Sequence, residues 1–465
     1  MAIAIEGEEV QVCPDFERSD EDVKKLEIDH INSIPSIEKE TVEEVIDPFG
    51  NEETADVKYK VLTWWQCGLL MIAETMSLGI LALPSAVAIL GLVPAILVLI
   101  FVGLLTTYTG YTIGQFKAAY PKVHSMADAG EILMGRFGRE FLGAGQLLFL
   151  IFIMGSHLLT FVVLMDTLSN NRTCSIIFGV TGMLISLILT LPRTLQKVSW
   201  LSIISFSSII SAVMITIVAL GIQRVGTGID MFVKTTFARG FLAASNIVFA
   251  YSGHVAFFGF ASELQNPRDY TKSLLTLQTT NTTVYTIAAV VIYCFAGRDV
   301  ASPALGSTGP VVSKIAYGIA FPTIVIAGVI NGHVACKYVY VRLFRGTDRM
   351  SQRSFASIGA WVGIAVFLWL MAWIIAESIP GFNNLLSLIT ALFASWFTLA
   401  LNGWFGLHLD KGSYFSSPKK IMVTCLNIFC VGSGIFVCVF GLYVSGKFIS
   451  EETAIHGSFT CASKI

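Results

Sequence analysis

Glu74-Thr75-Met76-Ser77-Leu78-Gly79, followed at once by Ile80-Leu81-Ala82-Leu83-Pro84, breaks the first long apolar stretch of the chain with small and polar residues. A second break, Ala250-Tyr251-Ser252-Gly253-His254, falls in the sixth such stretch. The two lie five segments apart, where two inverted five-helix repeats would each contribute an interrupted helix. Interrupted helices in corresponding positions of two halves point to the binding site of a secondary transporter. The sequence therefore predicts an all-α polytopic membrane protein: two inverted five-helix repeats plus one extra helix, with helices 1 and 6 broken.

Composition supports the membrane class. The 465 residues are 54% hydrophobic and 13% charged, with mean hydropathy +0.71. A soluble domain carries roughly 25% charged residues. A spanning helix needs about 20 apolar residues. Eleven such segments are expected, at 62–90, 92–116, 140–168, 174–191, 196–222, 240–264, 273–296, 312–341, 356–377, 380–407 and 421–446. Gly91, Pro192, Pro267 and Pro380 stand at their boundaries.

Charge divides the chain into an acidic tail over 1–60, a transporter domain over 61–446 and a short C-terminal tail over 447–465. Residues 1–60 hold 18 acids and 6 bases, a composition that favours a disordered, cytosolic segment and excludes nucleic-acid binding by its sign. The loops on the tail's side carry 16 Lys and Arg against 8 on the other, which places the N-terminus inside and, after eleven spans, the C-terminus outside. Met1-Ala2-Ile3-Ala4-Ile5 lacks a basic region and an apolar core of useful length, so insertion is expected to be directed by the first span. The 117–139 loop, with Pro121 and a polar run from Met126, suits a short interfacial helix. The 297–314 loop, with Pro303 and Pro310, suits an outer cap, and Asn171-Arg172-Thr173 is a sequon. Of nine scattered cysteines none forms a C-x-x-C pair, and no metal site is expected. Cys174 and Cys461 fall on the same expected outer side and could pair.

The chemistry is concentrated at the two breaks. Segment 1, at about 29 residues, would be roughly 43 Å long as one helix, against a hydrocarbon core of about 30 Å. Unwinding absorbs the excess, and unwound backbone at membrane depth is tolerated where it lines a cavity or is buried in protein. Freed N–H groups suit a carboxylate and freed carbonyls an ammonium, so a zwitterion matches both. The plainer reading is that Ser77 and Gly79 only allow close helix packing. Tyr251, Ser252, Gly253 and His254 at mid-depth favour the site, because ionisable groups inside a membrane are costly unless used. Glu74 is the favoured proton carrier, since low dielectric favours a neutral carboxyl. His254, Glu263 and His333 are further candidates, Glu263 having an interfacial alternative beside Asn266-Pro267-Arg268. His157 and His333 read first as helix–helix hydrogen bonders. No G-x-x-x-x-G-K-[ST], H-E-x-x-H or G-x-S-x-G motif is present, so neither ATP-driven transport nor an enzyme is expected.

Gly79-Ile80-Leu81-Ala82-Leu83-Pro84, with Ser77 ahead of it, resembles the first-helix signature of the amino acid/auxin permease family, within the amino acid-polyamine-organocation superfamily. Thr107-Tyr108-Thr109-Gly110-Tyr111 through His124-Ser125-Met126-Ala127-Asp128-Ala129-Gly130 is similar to fungal neutral amino acid permeases of the N-system type. The resemblance covers about residues 60–446. It implies a LeuT-like fold and import of neutral aliphatic and aromatic amino acids at the plasma membrane by proton symport. Its broken helices map onto Thr75–Gly79 and Ala250–His254. Animal proton-coupled relatives carry a histidine earlier in helix 1, where this chain has Leu70, so the proton site does not carry over. The sodium-coupled branch uses hydroxyls on helix 8. Here Val329-Ile330-Asn331-Gly332-His333 has none, which disfavours sodium.

The expected mechanism is alternating access between segments 1, 3, 6 and 8, with the proton as coupling ion and no cofactor. The N–H groups of Ser77, Leu78 and Gly79 meet the substrate carboxylate. Carbonyls at Thr75, at the adjoining Met76 turn and across Ala250–Ser252 meet the ammonium, and Tyr251 shapes the side-chain pocket. Lys24, Lys25 and Lys39 could receive cytosolic turnover signals. The competing expectations are a vacuolar exporter of the same fold and an amino acid sensor without sustained flux.

Overall fold

The computed structural model describes residues 59–170, 172–193, 195–223, 228–345, 347, 354–379, 381–456 and 459–461. Nearly all of the acidic tail, including Lys24, Lys25 and Lys39, lies outside the described residues, as do Asn171 and Pro380.

Segment 1 is two helices, α1 (Trp64–Thr75) and α2 (Leu78–Leu90), bent by 51°. Then come α3 (Leu92–Ala119), α4 (Met126–Ser169), α5 (Ser175–Thr190) and α6 (Leu195–Gln223). Segment 6 is again two helices, α7 (Phe237–Ala250) and α8 (His254–Ser262). They are followed by α9 (Tyr270–Ala296), α10 (Pro310–Phe344) and α11 (Phe355–Ser378). Segment 10 is α12 (Phe382–Ile389), a π-helical stretch over Thr390–Ala400, and α13 (Leu401–Leu409). Last comes α14 (Pro418–His456).

Among the described residues nine helices are long and apolar enough to cross a membrane, or ten with the bent α1–α2 pair taken as one span. The protein is thus an all-helical, multi-pass membrane protein. Length and composition stop short of eleven at α5, which has 16 residues between the Cys174 cap and the Leu191–Pro192 exit. Two boundaries differ from expectation. α4 begins at Met126, where Ser125 and Asp128 form a capping box, and its geometry breaks at Gly135 (φ 65°). The short helix expected in that loop is the part of α4 before Gly135. α14 runs to His456, beyond the expected end at 446.

The π stretch is closely packed. A β-carbon on Gly434 of α14 would lie 2.4 Å from the Ser395 carbonyl and 2.9 Å from the Ala400 nitrogen, so α14 rests directly on this backbone. Asn402 Nδ2 donates to the carbonyls of Phe397 and Thr398, both at 2.9 Å.

Both ends of the two broken segments are tied by main-chain bonds. Leu62 N donates to Glu263 O (3.0 Å) and Gln265 N to Leu62 O (2.9 Å), joining the start of α1 to the end of α8. At the opposite end, Leu92 N donates to Asp230 O (3.0 Å) and Val93 N to Met231 O (3.1 Å). Arg298 binds both carboxylate oxygens of Asp230 and holds that carboxyl below its usual range. Cys174 and Cys461 form a disulfide, and Phe459 N donates to Glu377 O (3.2 Å).

Gly91 sits at φ 89°, and a β-carbon there would fall 2.8 Å from Phe232 Cα. Gly91→Ala should lower the melting point of the purified protein, at a cost of about 1–3 kcal/mol. Gly446→Ala, inside α14 where nothing lies within 4 Å, should not lower it and should raise it slightly. Thermal unfolding in detergent compares the two.

Candidate functional site

The two breaks touch. Thr75 ends α1, Met76 and Ser77 are unwound, and Leu78 starts α2. Ala250 ends α7, and Tyr251, Ser252 and Gly253 lead into α8. A β-carbon on Gly79 would fall 2.6 Å from Ala250 Cα. One on Gly253 would fall 2.4 Å from both Glu74 Oε2 and Thr75 Cγ2. Each break thus lies on the last turn of the other's leading half-helix, and hydrogen is the only side chain that fits at either contact.

α9 clamps the pair. The Tyr285 hydroxyl lies 3.0 Å from the Thr75 carbonyl and 2.9 Å from the Ala250 carbonyl, the terminal carbonyls of α1 and α7. Asn281 Nδ2 donates to Thr75 Oγ1 (2.9 Å), which itself donates back to Met71 O (2.9 Å). A helix leaves its last carbonyls and first N–H groups without intrahelical partners. At these breaks the carbonyl ends are held by Tyr285, with lone pairs to spare, while the first turn of α2 presents the N–H groups of Ser77, Leu78 and Gly79. In the second break local turns take up more of the backbone: Tyr251 N donates to Val248 O, Ser252 N to Phe249 O and Gly253 N to Tyr251 O.

Glu74 lies between the breaks and α10. It is buried, its carboxyl lies beside the Asn331 side chain, and its Oε2, against Gly253, has no hydrogen-bond partner. His254 turns the other way. Its Nε2 lies 2.9 Å from the Thr106 carbonyl and 3.1 Å from Thr109 Oγ1, both on α3. Since the carbonyl only accepts, Nε2 carries the hydrogen. Tyr251 also faces α3 and α9, with its ring edge-on to Tyr285 (5.2 Å) and its hydroxyl beside Gly103 and Thr282. Ser252 Oγ is spent on Phe249 O (2.7 Å). Met76 is buried. His333 lies beside the Pro192–Arg193 backbone and the Trp361 ring, and Glu263 is paired with Lys337; both are near the α1 start rather than at the breaks.

The structure thus brings Glu74, Thr75, Ser77, Gly79, Ala250 and Gly253 together, and adds Tyr285, Asn281 and Asn331, which sequence reasoning missed. A signal for the α9 pair was present. Gln278, Asn281 and Tyr285 recur at i, i+3 and i+7 and are the large polar side chains of a stretch otherwise filled by threonine and apolar residues, so they mark the face that meets protein. Among the described residues no three His, Cys, Asp or Glu side chains are grouped to hold a metal ion.

The profile of the family described as transmembrane amino acid transporter protein matches residues 60–446. The chain belongs to that family. It is 35% identical over 419 residues to the N amino acid transport system protein of Neurospora crassa, covering 88% of this chain and 89% of that one. It is 27% identical over 424 residues to a transmembrane transporter of Gibberella moniliformis (88% and 90% covered). It is 25% identical over 410 residues to amino acid transporter AVT1H of Arabidopsis thaliana (83% and 90% covered). A crystal structure of MhsT in complex with L-phenylalanine superposes with a TM-score of 0.54 at 11% identity, covering 83% of this chain and 99% of that one, and shows the same LeuT-like fold. As a member of this transporter family, the chain is not an enzyme.

In this transporter an ionic cluster lies beside the start of α1. Lys337 Nζ of α10 lies 2.5 Å from Glu263 Oε1 at the end of α8, both buried, and 4.3 Å from the centre of the Tyr59 ring. Arg193 donates to Tyr340 (3.1 Å) and Ser357 (2.9 Å) alongside. With the Leu62–Leu264 bridge, this cluster fastens α1, α8 and α10 together at one point. Removing one partner of a buried pair leaves an uncompensated charge, at about 3–5 kcal/mol. Lys337→Met should lower the melting point accordingly, and Lys337→Met with Glu263→Gln should recover most of the loss. Thermal unfolding of the two variants checks it.

Proposed function

We propose that the chain imports neutral amino acids by proton symport at the plasma membrane, through alternating access around the paired breaks. The observation that carries this reading is the Glu74 carboxyl, buried between the two breaks with one oxygen unpartnered. Among the described residues no cation offsets a charge there, whereas a proton taken up and released there couples readily to movement of the half-helices. The substrate carboxylate meets the first turn of α2, and its ammonium meets the spare lone pairs of the Thr75 and Ala250 carbonyls. Among the described residues no fixed charge beside the breaks other than Glu74 is available for a charged substrate side chain, which supports neutral substrates. The name of the Neurospora relative supports the same class. The absence of a hydroxyl residue around Asn331 supports the proton over sodium.

Uptake of labelled neutral amino acids into proteoliposomes tests it. With acid outside and no sodium, the wild type should accumulate substrate, and a protonophore should abolish the gradient. Glu74→Gln should lose accumulation by at least tenfold while still exchanging labelled for unlabelled substrate. Accumulation that requires sodium, or that survives Glu74→Gln intact, sinks the coupling assignment.

A further inference from the structure

We propose that His157 sets the direction of the Ser77 hydroxyl, so that binding of a carboxylate at the first break depends on a proton held by its ring. This rests on the reading above that the substrate carboxylate meets the first turn of α2. It makes His157 a positioning residue that acts through Ser77, and it adds a second proton-linked group to Glu74.

The geometry allows each ring nitrogen one role. His157, on α4, is buried between the segment 1 break and α10. Its Nδ1 lies 2.9 Å from the Ile324 carbonyl. That oxygen only accepts, so Nδ1 keeps its hydrogen in both ring states. Nε2 faces Ser77 Oγ at 3.4 Å. The ring is wedged: a β-carbon on Gly328 would lie 3.0 Å from His157 Cβ and 3.5 Å from the Trp369 ring, so α10 and α11 close over the base of the side chain.

When the ring is neutral, Nε2 offers a lone pair. The Ser77 O–H donates to it, and Oγ turns its own lone pairs to the break, where they oppose a carboxylate. When Nε2 takes a proton from the water that admits the substrate, the bond reverses. Nε2–H donates to Oγ, the hydroxyl hydrogen is released toward the break, and the imidazolium adds a positive charge behind it. A carboxylate then gains both a donor and a cation. One proton is taken up with the carboxylate and leaves with it.

Titratable groups on the surrounding elements are turned elsewhere. Glu74 of α1 faces Gly253 and Asn331. His254 of α8 faces α3. On α10, Tyr317 points toward Gly306, His333 to Trp361, Lys337 to Glu263 and Tyr340 to Arg193. Glu377 of α11 lies by Phe459 and Gly179, and Asp166 of α4 by Ser175. α2, α5, α12 and the π stretch carry no charged residue.

The test is the pH dependence of equilibrium binding, measured by calorimetry on the purified full chain with a neutral amino acid and with its carboxamide. A single linked proton weakens binding by up to tenfold per pH unit above the ring's titration. The wild type should show that slope for the amino acid and a flatter one for the carboxamide. His157→Gln, which keeps a donor toward Ser77 at every pH, should flatten the amino acid slope by at least threefold per unit. Ser77→Ala should flatten it as well, although the histidine is still present, a result that a merely structural role for His157 does not give. If His157→Gln fails to fold, Ser77→Ala and the carboxamide decide alone. Slopes that match the wild type in the variants, or that are equal for amino acid and carboxamide, overturn the proposal. A wild type that binds no neutral amino acid at any pH overturns the transport reading instead.

Discussion

Everything at the centre of this molecule depends on the two broken segments meeting at glycine, against backbone at Gly79 and against the Glu74 and Thr75 side chains at Gly253. The contacts at Gly79 and at Gly253 leave no room for a single methyl group, and they are reciprocal, each break resting on the turn that ends the other's leading half. Such proximity brings the ends of two helix dipoles together with little side-chain bulk between them. It also explains why the breaks coincide with small residues while the rest of both segments is bulky and apolar. The glycines are required by distance; neither has a positive φ.

Unwinding a helix inside a membrane leaves polar backbone that water does not solvate. The protein meets this cost unevenly. In the second break, local turns and the Ser252 hydroxyl take up much of what is freed. In the first break, the carbonyl end is shared with Tyr285, and the Ser77 hydroxyl faces His157 of α4. The two breaks are related in sequence spacing, yet they are not equivalent in chemistry.

The breaks themselves were legible because their signal is local: a few small and polar residues within a long apolar run fix the end of α1 and the start of α8 to within about two residues. Spans were legible for the same reason. Azimuth was not. A histidine at mid-depth reads as a site residue, yet His254 points at α3, because only the rotation of α8 against α3 decides which way it faces. The clamp from Tyr285 joins residues more than 200 positions apart on the Thr75 side, a relation that no window along the chain contains. The π stretch in segment 10 is written in the chain as an ordinary apolar helix; the approach of Gly434 from α14, rather than its own composition, accompanies the wider winding. At α5 the apolar run was read as a span by its content, and its 16 residues make it the shortest of the set.

The Cys174–Cys461 bond bears on that shortest helix in a way that length does not. Two residues joined covalently must face the same compartment, so an even number of crossings separates them. From α6 onward the chain makes seven passes, counting α7–α8 and α12–α13 once each. Seven is odd. If those seven all cross, α5 has to cross as well, and parity rather than hydropathy fixes its role. The bond also closes only after the last helix has been threaded, because Cys461 lies beyond α14. Its presence on a non-reducing gel therefore marks chains in which both cysteines have reached the same side of the membrane.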